Sequence, residues 1–400
     1  MKNIMIFGAG TYQVPLIRKA KELGHYVIVV SPQGNYPGFA FADEIIHLDT
    51  RDHIGVLEQA KRIGIDAVVT TGTDVAVPTI GYLVDELGLA GTGYSAALRS
   101  MNKVLMKQCF SEHGIQTAKF SVVETFEELK HSADDLGFPV IVKAVDSSGS
   151  RGITQVLTPD TLEAAYFAAK AVSKSQKVII EQYLKGYEIG ADTFVVGDEA
   201  VEVFLHEKHV TPPPVSAPTG HSMPLLLSKE VEEKTVNLLT KAARALGLTD
   251  TVANADVMIV DNEPYLIEMS ARMGGTCIPE VISVYGGFDA YEFILNLALS
   301  QNPKLPEKYK KQPNAALLLR VNTTGNIKGV LVPETTRKHP DLIELAIDYK
   351  VGDAVNAFKV GPDRIGHIIV KAASNNQAND FAKEMAKSVV FDIEETQIDK

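Results

Sequence analysis

The sequence predicts an α/β domain at the amino end, an α+β region in the middle and a small β-rich domain at the carboxyl end. Short β-branched runs at 3–7, 26–30 and 67–70 alternate with helical patterns, as in a parallel sheet with crossover helices. Beyond about residue 115, strand-like runs follow one another as hairpin neighbours, which indicates α+β structure. The polar, proline-bearing stretch 301–313 then predicts a linker before the last β-rich segment.

The composition is that of a globular chain of 400 residues, with 45% hydrophobic residues, 22% charged residues and a mean hydropathy of +0.03. The formal net charge is −11 and no basic cluster appears, so we expect no nucleic acid partner. No uncharged apolar run approaches the roughly 20 residues that span a bilayer. We therefore expect no membrane partner and a cytoplasmic location. Cys109 and Cys277 lack zinc-type spacing and are expected to be reduced packing residues.

The first predicted strand runs into a glycine turn. Gly8 and Gly10 are in place, but Gln13 occupies the third glycine position of a dinucleotide fingerprint. Either these glycines serve the tight turn and the close packing of the next helix, and line a substrate pocket, or they hold a dinucleotide. The incomplete pattern favours the turn.

The remaining elements follow from periodicity and from helix-end signals. The stretch 211–224 contains five prolines and predicts a long loop. Ser228 is the expected N-cap of a helix that ends at Gly247. A hairpin is expected over 251–269. Other strands are predicted at 120–123, 138–143, 153–157, 177–184, 188–196, 199–205, 315–321, 327–331 and 366–371, and other helices at 102–113, 125–135, 159–171, 288–299 and 376–388.

Lys143 ends a predicted buried strand and precedes a loop rich in serine and glycine. An ammonium group in this position suits a nucleotide phosphate, because the backbone N–H groups of Ser148, Gly149, Ser150 and Gly152 can close over the oxygens. The alternative is a strand-end lysine that reaches solvent before an ordinary turn. On this segment alone the alternative is favoured.

Two glutamates flank a bend in the segment 178–188. An adenine needs an acceptor for its amino group and polar backbone groups along its edge, and a ribose needs an acceptor for its hydroxyls. Glu181, the backbone of Gln182, Tyr183 and Leu184, and Glu188 could supply these in turn. Taken alone, the two glutamates are more simply explained as exposed surface residues.

Two further carboxylates lie on the neighbouring strands of the predicted hairpin. Asp256 and Glu268 both have apolar neighbours, where an isolated carboxylate would bear a large desolvation cost. Converging carboxylates favour Mg²⁺, which prefers oxygen ligands and substrate phosphates. Arg272 follows Glu268 by four residues and adds a fixed positive charge.

In their order along the chain, these residues resemble the ATP-grasp superfamily. The resemblance extends from Asn102 to about Gly287 and includes an early lysine (Lys103), the strand lysine, the serine–glycine loop, the E-Q-Y-L bend and the paired carboxylates with E-x-S-A-R. Among relatives, the chain looks most like the L-amino-acid ligase and carbamoyl-phosphate-synthase-like branches. The resemblance implies a Rossmann-like domain at 1–101, an ATP-grasp domain at 102–305 with a nucleotide lid at about 115–190, and a small β-rich domain at 306–400.

The resemblance also implies the chemistry. ATP and Mg²⁺, with Mn²⁺ as an alternative ion, are the expected cofactors, with Asp256, Glu268 and Ser270 as metal ligands. The family usually has asparagine at the position of Ser270, and a hydroxyl is a weaker ligand than an amide oxygen, so the number of metal ions stays open. The γ-phosphate would activate a small carboxylate as an acyl phosphate for attack by an amine, in some cases an amino acid. Arg272 and Lys143 would be catalytic, and a homodimer is left open.

Two other functions remain open. One is an ATP-grasp carboxylase or formyl-transfer-type enzyme that acts on a nucleotide precursor, and the other is a non-catalytic nucleotide-binding module. The presence of Lys143, Asp256, Glu268 and Arg272 disfavours the module. Carboxylases of the family usually carry a histidine-bearing stretch after the arginine, whereas this chain reads SARMGGTCIPE. The ligase is therefore preferred.

Three histidines also need an explanation. His206 and His209 lie three residues apart and His221 follows in the proline-rich stretch. A strand or loop does not place residues three apart on one face as a helix does. A zinc site is therefore disfavoured, and a solvated or substrate-facing role is expected.

Overall fold

The computed structural model describes residues 1–145, 152–212 and 217–395. The described strands form four sheets, and the fold is mixed α/β, as predicted. None of the helices in these ranges is long and apolar enough to cross a membrane.

The amino-terminal sheet is parallel, with strand order β3-β2-β1-β4. Its central strands are buried on both faces, which explains their continuous apolar sequences. Helices alternate with the strands, as predicted, and two more helices lead out of the sheet. The elements are β1 (Asn3–Phe7), α1 (Val14–Glu22), β2 (Tyr26–Val30), β3 (Glu44–Ile46), α2 (His53–Ile63), β4 (Ala67–Val69), α3 (Val77–Leu87), α4 (Tyr94–Met101) and α5 (Lys103–Glu112).

A small antiparallel sheet with strand order β5-β8-β6-β7 follows. Two helices cover one face of this sheet. The sheet and the helices enclose a hydrophobic core made only of residues between 123 and 180. We call this unit the small sheet. Its elements are β5 (Phe120–Val123), α6 (Phe126–Leu136), β6 (Val140–Ala144), β7 (Ile153–Val156), α7 (Leu162–Val172) and β8 (Val178–Gln182).

The large sheet is antiparallel and has the order β13-β12-β9-β10-β11-β14-β18-β16. Because β11 pairs with β14, the domain boundary predicted at residue 306 falls inside one hydrogen-bonded sheet. The predicted domain boundaries all stay predictions. The strands and the helix on one face are β9 (Tyr187–Val196), β10 (Glu199–Val210), β11 (Pro218–Met223), α8 (Lys229–Leu246), β12 (Thr251–Val260), β13 (Glu263–Ser270), β14 (Asn314–Leu319), β16 (Leu342–Ile347) and β18 (Gly366–Lys371).

One hydrophobic core joins the amino-terminal sheet to the large sheet. It contains Ile4 of β1, Phe194 of β9 and Ile369 of β18, with two helices packed between the sheets. These helices are α9 (Ile278–Gly286) and α10 (Ala290–Ala298). The remaining elements are β15 (Gly325–Leu331), α11 (Glu334–Arg337), β17 (Ala354–Val355), α12 (Asn375–Ser388) and β19 (Val390–Glu395), of which the three strands form a separate sheet.

The loop predicted over 211–224 is wrong for its second half, where β11 lies. Pro218 is the first residue of the strand. Proline is tolerated there because it has no N–H group to donate to the strand ladder. Gly220 allows close pairing, since a Cβ atom there would lie 2.1 Å from the Ala316 carbonyl oxygen. Two predicted helix ends are confirmed, because Ser228 accepts a hydrogen bond from the Val231 N–H and Gly247 adopts a left-handed conformation.

We expect Gly220→Ala to destabilise the protein, because the added methyl group would push β11 away from β14. Overpacking of this kind typically costs about 1–3 kcal/mol, which should lower the midpoint of thermal unfolding in calorimetry. Gly329→Ala on β15 is the control, since a Cβ atom there has its nearest neighbour at 3.8 Å. Equal midpoints for the two variants would contradict the close pairing.

Candidate functional site

Glu181 lies between two lysines at the end of β8. Its Oε2 atom is 3.1 Å from Lys143 Nζ on β6 and 3.3 Å from Lys107 Nζ on α5. The side chains of Glu181, Lys107 and Lys143 are 5%, 3% and 12% exposed. Lys107 also donates to Thr117 Oγ1. Two ammonium groups therefore converge on one carboxylate in a nearly water-free position.

Burial dominates the electrostatics of this trio. It works against the ionised form of Glu181, but Lys143 and Lys107 outweigh it and hold the pKa of the carboxyl below its usual range. Burial also lowers the pKa of Lys107, and the Glu181 charge opposes that shift only in part. The glutamate is thus the counter-ion that keeps two buried lysines in place.

A second ion-pair cluster lies on the large sheet. Lys208 on β10 donates to Asp256 Oδ1 on β12 at 2.8 Å and also to Glu188 Oε1 on β9. Burial disfavours the ammonium group of Lys208, but Asp256 and Glu188 outweigh it and raise its pKa. Lys208 therefore connects Glu188, which is predicted to bind the ribose, with Asp256, which is predicted to bind the metal.

The two predicted metal carboxylates are paired across neighbouring strands. Asp256 stands opposite Glu268 in the ladder between β12 and β13, and Ser270 stands opposite Asn254. Burial raises the pKa of Glu268, Lys103 opposes that shift, and the Asp256 charge adds to it. Two neighbouring carboxylates form a donor set that fits Mg²⁺, which takes one or two carboxylates and completes its shell with phosphate oxygens and water.

Arg272 is held by two side chains from different parts of the chain. Its Nε donates to Asp74 Oδ1 at 2.8 Å, and its Nη1 donates to Asn254 Oδ1 at 3.0 Å. Burial opposes the charged form of Arg272, yet Asp74 outweighs it and raises its pKa. Asp74 follows β4, so the amino-terminal sheet contributes a carboxylate to the site. These two hydrogen bonds thus fix the orientation of the Arg272 guanidinium group.

The histidines divide into two groups. His206 and His221 are fully buried, with their Nδ1 atoms 3.1 Å apart, and Asp192 Oδ2 lies 3.3 Å from His206 Nε2. Burial holds the pKa of His221 well below its usual range, so this ring is neutral. His209 instead faces Asn379 of α12. Within the described ranges no group of three or more histidine, cysteine or acidic side chains is arranged to hold a metal ion.

Some residues predicted to contact the nucleotide lie outside the described part of the chain, and others already use their backbone N–H groups in hydrogen bonds within the protein. Ser148, Gly149 and Ser150 fall in the undescribed segment 146–151. The N–H of Gln182 donates to the Lys119 carbonyl, and that of Tyr183 donates to the Pro139 carbonyl. A purine base at this bend would therefore have to use other backbone groups of 182–184. Gly152, Leu184 and Glu188 stay predictions.

The glycine turn after β1 is filled by its own glutamine. Gln13 Oε1 accepts a hydrogen bond from the Gly10 N–H at 3.0 Å, and its Nε2 donates to the Thr71 carbonyl. A Cβ atom at Gly8 would lie 2.9 Å from Gln13 Oε1. The side chain thus takes an N–H group that a pyrophosphate would need, which supports the preference for a packing turn.

Sequence reasoning missed four residues of this site: Lys107, Lys208, Asp74 and Asn254. A signal existed for two of them. Lys107 follows Lys103 by four residues, which places both on one helix face. Lys208 follows His206 by two residues, which places both on one strand face. Asp74 carried no local signal, because its partner Arg272 is 198 residues away.

Comparison with known proteins agrees with this geometry. Residues 136–280 match the family described as ATP-grasp domain, and residues 317–394 match L-amino acid ligase C-terminal domain 2. Alanine–anticapsin ligase of Bacillus subtilis (strain 168) is 27% identical over 277 residues, which cover 63% of this chain and 58% of that protein. The chain thus spans less than two thirds of that curated relative.

Two solved structures cover almost the whole chain. Phosphoribosylglycinamide synthetase from Anaerococcus prevotii has a TM-score of 0.84 and 28% identity, and the match covers 98% of this chain and 100% of that one. L-amino acid ligase from Bacillus licheniformis has a TM-score of 0.81 with 98% and 99% coverage; at 20% identity it shows the fold alone.

Residues 136–280 are an ATP-grasp domain, and the fold of the chain is that of ATP-grasp proteins. Residues 317–394 are similar to the second carboxyl-terminal domain of L-amino acid ligases. ATP-grasp enzymes use ATP with Mg²⁺.

We expect Glu181→Gln to destabilise the ligand-free protein, because two buried lysines would lose their counter-ion. Breaking a buried ion pair from one side typically costs about 3–5 kcal/mol. The lowered pKa of Glu181 sets the pH window: the contribution is present above about pH 4.3, the ordinary value, and is lost as pH falls through the lower folded value.

Calorimetric scans at pH values from 4 to 7 would test this expectation. The gap between the parent and variant midpoints should be full near pH 7 and should shrink below about pH 4.3. Glu58→Gln is the control, since it removes an exposed carboxylate from α2. A gap at pH 7 no larger than that of the control would mean that Glu181 is not the counter-ion.

Proposed function

We propose that this protein is an ATP-dependent carboxylate–amine ligase, which activates a small carboxylate as an acyl phosphate for attack by an amine. The main support is the arrangement of one buried lysine pair around Glu181 and one carboxylate pair, Asp256 and Glu268, beside the fixed Arg272. Phosphoryl transfer needs positioning and charge neutralisation rather than a protein nucleophile. This set of residues supplies both.

Lys107 and Lys143 would bind the polyphosphate. Their ammonium groups are already held at one point by Glu181, so little side-chain freedom would be lost when the phosphates arrive. Charge-assisted hydrogen bonds in such a site are worth about 1.5–3 kcal/mol each. Lys143 therefore contributes both to affinity and to alignment.

Asp256 and Glu268 would hold Mg²⁺, with Ser270 as a third, weaker ligand. When bound, the ion supplies charge neutralisation on the phosphate oxygens. Lys208 already donates a hydrogen bond to one oxygen of Asp256. Lys103 favours the ionised form of Glu268. Each proposed ligand thus has a lysine nearby that offsets part of its negative charge.

Arg272 would stabilise the negative charge that develops on the transferring group. Donors that are oriented before the reaction lose no energy in reorganisation. Asp74 and Asn254 provide that orientation here. Arg272 and Lys143 are therefore proposed as the catalytic residues.

The carboxyl-terminal match to L-amino acid ligases favours an amino acid as one substrate. A second candidate is ligation in which a phosphorylated sugar carries the amine. Its support is the phosphoribosylglycinamide synthetase structure, which matches this chain over nearly its whole length at 28% identity. A homodimer stays open, and sedimentation of the full chain would decide the oligomeric state.

The proposed activity is tested by phosphate release from ATP and Mg²⁺ in a grid of carboxylates and amines, with product masses measured. We expect release to need both substrates and each product to have their summed mass less one water. The grid includes pairs of amino acids, and glycine with 5-phosphoribosylamine, which separates the two candidates. Should no carboxylate stimulate release, the nucleotide-binding module would become the better account.

We expect Glu268→Gln to lose turnover, because the amide keeps the shape of the side chain but removes the charge that holds the metal. Binding of ATP should also lose its dependence on Mg²⁺ in calorimetry. The control is Glu263→Gln, on the same strand but bonded to Lys234 at the surface. Unchanged Mg²⁺-dependent ATP binding in the Glu268 variant would contradict the metal assignment.

A further inference from the structure

Asp192 is a fully buried carboxylate that has no part in the mechanism proposed above. It lies on β9, and its side chain is 0% exposed. Its Oδ1 atom accepts a hydrogen bond from the Gly274 N–H at 2.9 Å, and its Oδ2 atom accepts one from Asn254 Nδ2 at 2.9 Å. His206 Nε2 lies 3.3 Å from the same Oδ2. A buried carboxylate is costly unless such partners compensate it, so these contacts hold Asp192 in one place.

Asp192 determines which way the Asn254 amide faces. A carboxylate only accepts hydrogen bonds, and a guanidinium only donates them. The amide therefore has to place Nδ2 towards Asp192 and Oδ1 towards Arg272, whose Nη1 is 3.0 Å away. The opposite orientation would set donor against donor at Arg272 and acceptor against acceptor at Asp192. The carboxylate thus acts on the guanidinium group through one amide.

Asp192 also holds the main chain of the segment 273–277, which follows directly after the guanidinium-bearing residue. Thr276 and Cys277 in this segment adopt left-handed conformations, with φ of 52° and 64°. Such conformations are rare for a β-branched residue and persist only where the surroundings impose them. The hydrogen bond from the Gly274 N–H to Asp192 is one contact that imposes this course on the chain.

His206 provides the third contact of Asp192, and close packing fixes its ring. The ring fills the space beside Gly190, where a Cβ atom would lie 2.0 Å from His206 Cε1. Gly190 and Asp192 are two residues apart on one strand and therefore point to the same face. The Nδ1 atoms of His206 and His221 are 3.1 Å apart, so one proton lies between them. The ring pair can move that proton while its heavy atoms stay in place.

We propose that Asp192 is a positioning residue for Arg272, which it orients through the Asn254 amide and through the segment 273–277. The inference rests on the proposed ligase function, in which Arg272 stabilises the transferring group, and it adds a residue that acts through its neighbours. Asp74 holds Nε of the same guanidinium, so the two aspartates together set its direction. Burial opposes the charged form of Arg272, Asp74 outweighs it, and the Asp192 charge adds to the raised pKa.

An exchange of the two side chains provides the test. In Asp192→Asn the new amide has one acceptor for two donors, the Gly274 N–H and Asn254 Nδ2. The Asn254 amide can turn over, whereas the main chain cannot, so Asn254 should turn its Nδ2 towards Arg272 and lose that hydrogen bond. Adding Asn254→Asp restores an acceptor beside Arg272, because a carboxylate accepts from both sides. The double variant keeps the net charge and the shape of the pair.

The readout is the ¹⁵N–¹H spectrum of the arginine side chains, recorded on the full chain without nucleotide. Arg272→Lys, which removes the Arg272 signals, assigns them. The parent protein should show a resolved Nη1 signal, because the hydrogen bond to Asn254 slows rotation of that group. Asp192→Asn should lose this signal and keep the Nε signal, which reports the bond to Asp74. The double variant should regain the Nη1 signal.

Turnover gives a second readout. In Asp192→Asn kcat should fall about tenfold, the worth of one charge-assisted hydrogen bond. The KM for ATP should change less than about twofold, since the Arg272 contact strengthens in the transition state. The double variant should return kcat to within about threefold of the parent. Asp198→Asn removes an exposed aspartate from the turn between β9 and β10 and should leave both readouts unchanged.

The proposal is overturned if the parent has no resolved Nη1 signal for Arg272, if Asp192→Asn keeps it, or if the double variant lacks it or does not fold. A lower unfolding midpoint with an unchanged signal would mean that Asp192 only stabilises the fold. If Asp192→Asn alone does not fold, recovery of folding and of the signal in the double variant decides.

The spectrum is recorded without turnover, so its result is independent of the ligase assay. A signal that is lost in the single variant and regained in the double variant, together with absent ligase activity, would refute the ligase function. The role of Asp192 in orienting Arg272 would remain in place.

Discussion

The carboxylate of Glu181 holds two largely buried ammonium groups, and the other buried cations of the site are paired with carboxylates in the same way. Each cation of the site that is buried has an anionic partner: Lys208 has Asp256 and Glu188, and Arg272 has Asp74. A site for a polyphosphate must contain several cations before the phosphates arrive, and an unpaired buried cation would be strongly destabilising. The internal carboxylates solve this problem, because they hold the cations in position and can share them with an anionic substrate.

The large sheet provides the geometry for these pairs. Asn254 and Asp256 lie on one face of β12, Asp192 and Glu188 lie on the same face of β9, and Lys208 is on the neighbouring β10. In antiparallel pairing, residues two apart on one strand stand beside matching residues on the next. A row of charged groups can therefore be assembled from short motifs that are far apart in sequence. The hydrophobic core shared with the amino-terminal sheet then places Asp74 beside Arg272.

Much of this arrangement was accessible from the sequence. The strands β1, β2, β5 and β18 lie where their β-branched runs predict them, and the hairpin that pairs Asp256 with Glu268 follows from apolar alternation around a DNEP turn. Prediction failed where contacts between distant parts of the chain determine the local structure. β11 is a strand despite its prolines because β10 and β14 both pair with it. Asp74 and Asn254 matter through their contact with Arg272, and no local pattern encodes a contact across 198 residues.

The separate core of the small sheet limits how the molecule can move. The amino-terminal sheet, the large sheet and the helices α9 and α10 share one apolar interior, so rotation of these parts against one another would expose buried surface. The small sheet has an interior of its own, so a rigid-body motion of this sheet would leave that core intact. Lys143 would travel with Glu181 in that motion, but Lys107 belongs to α5 and would stay behind. In such a motion the pair between Lys107 and Glu181 would act as an electrostatic latch between the small sheet and α5, and a polyanion that competes for Lys107 would weaken the latch as it binds.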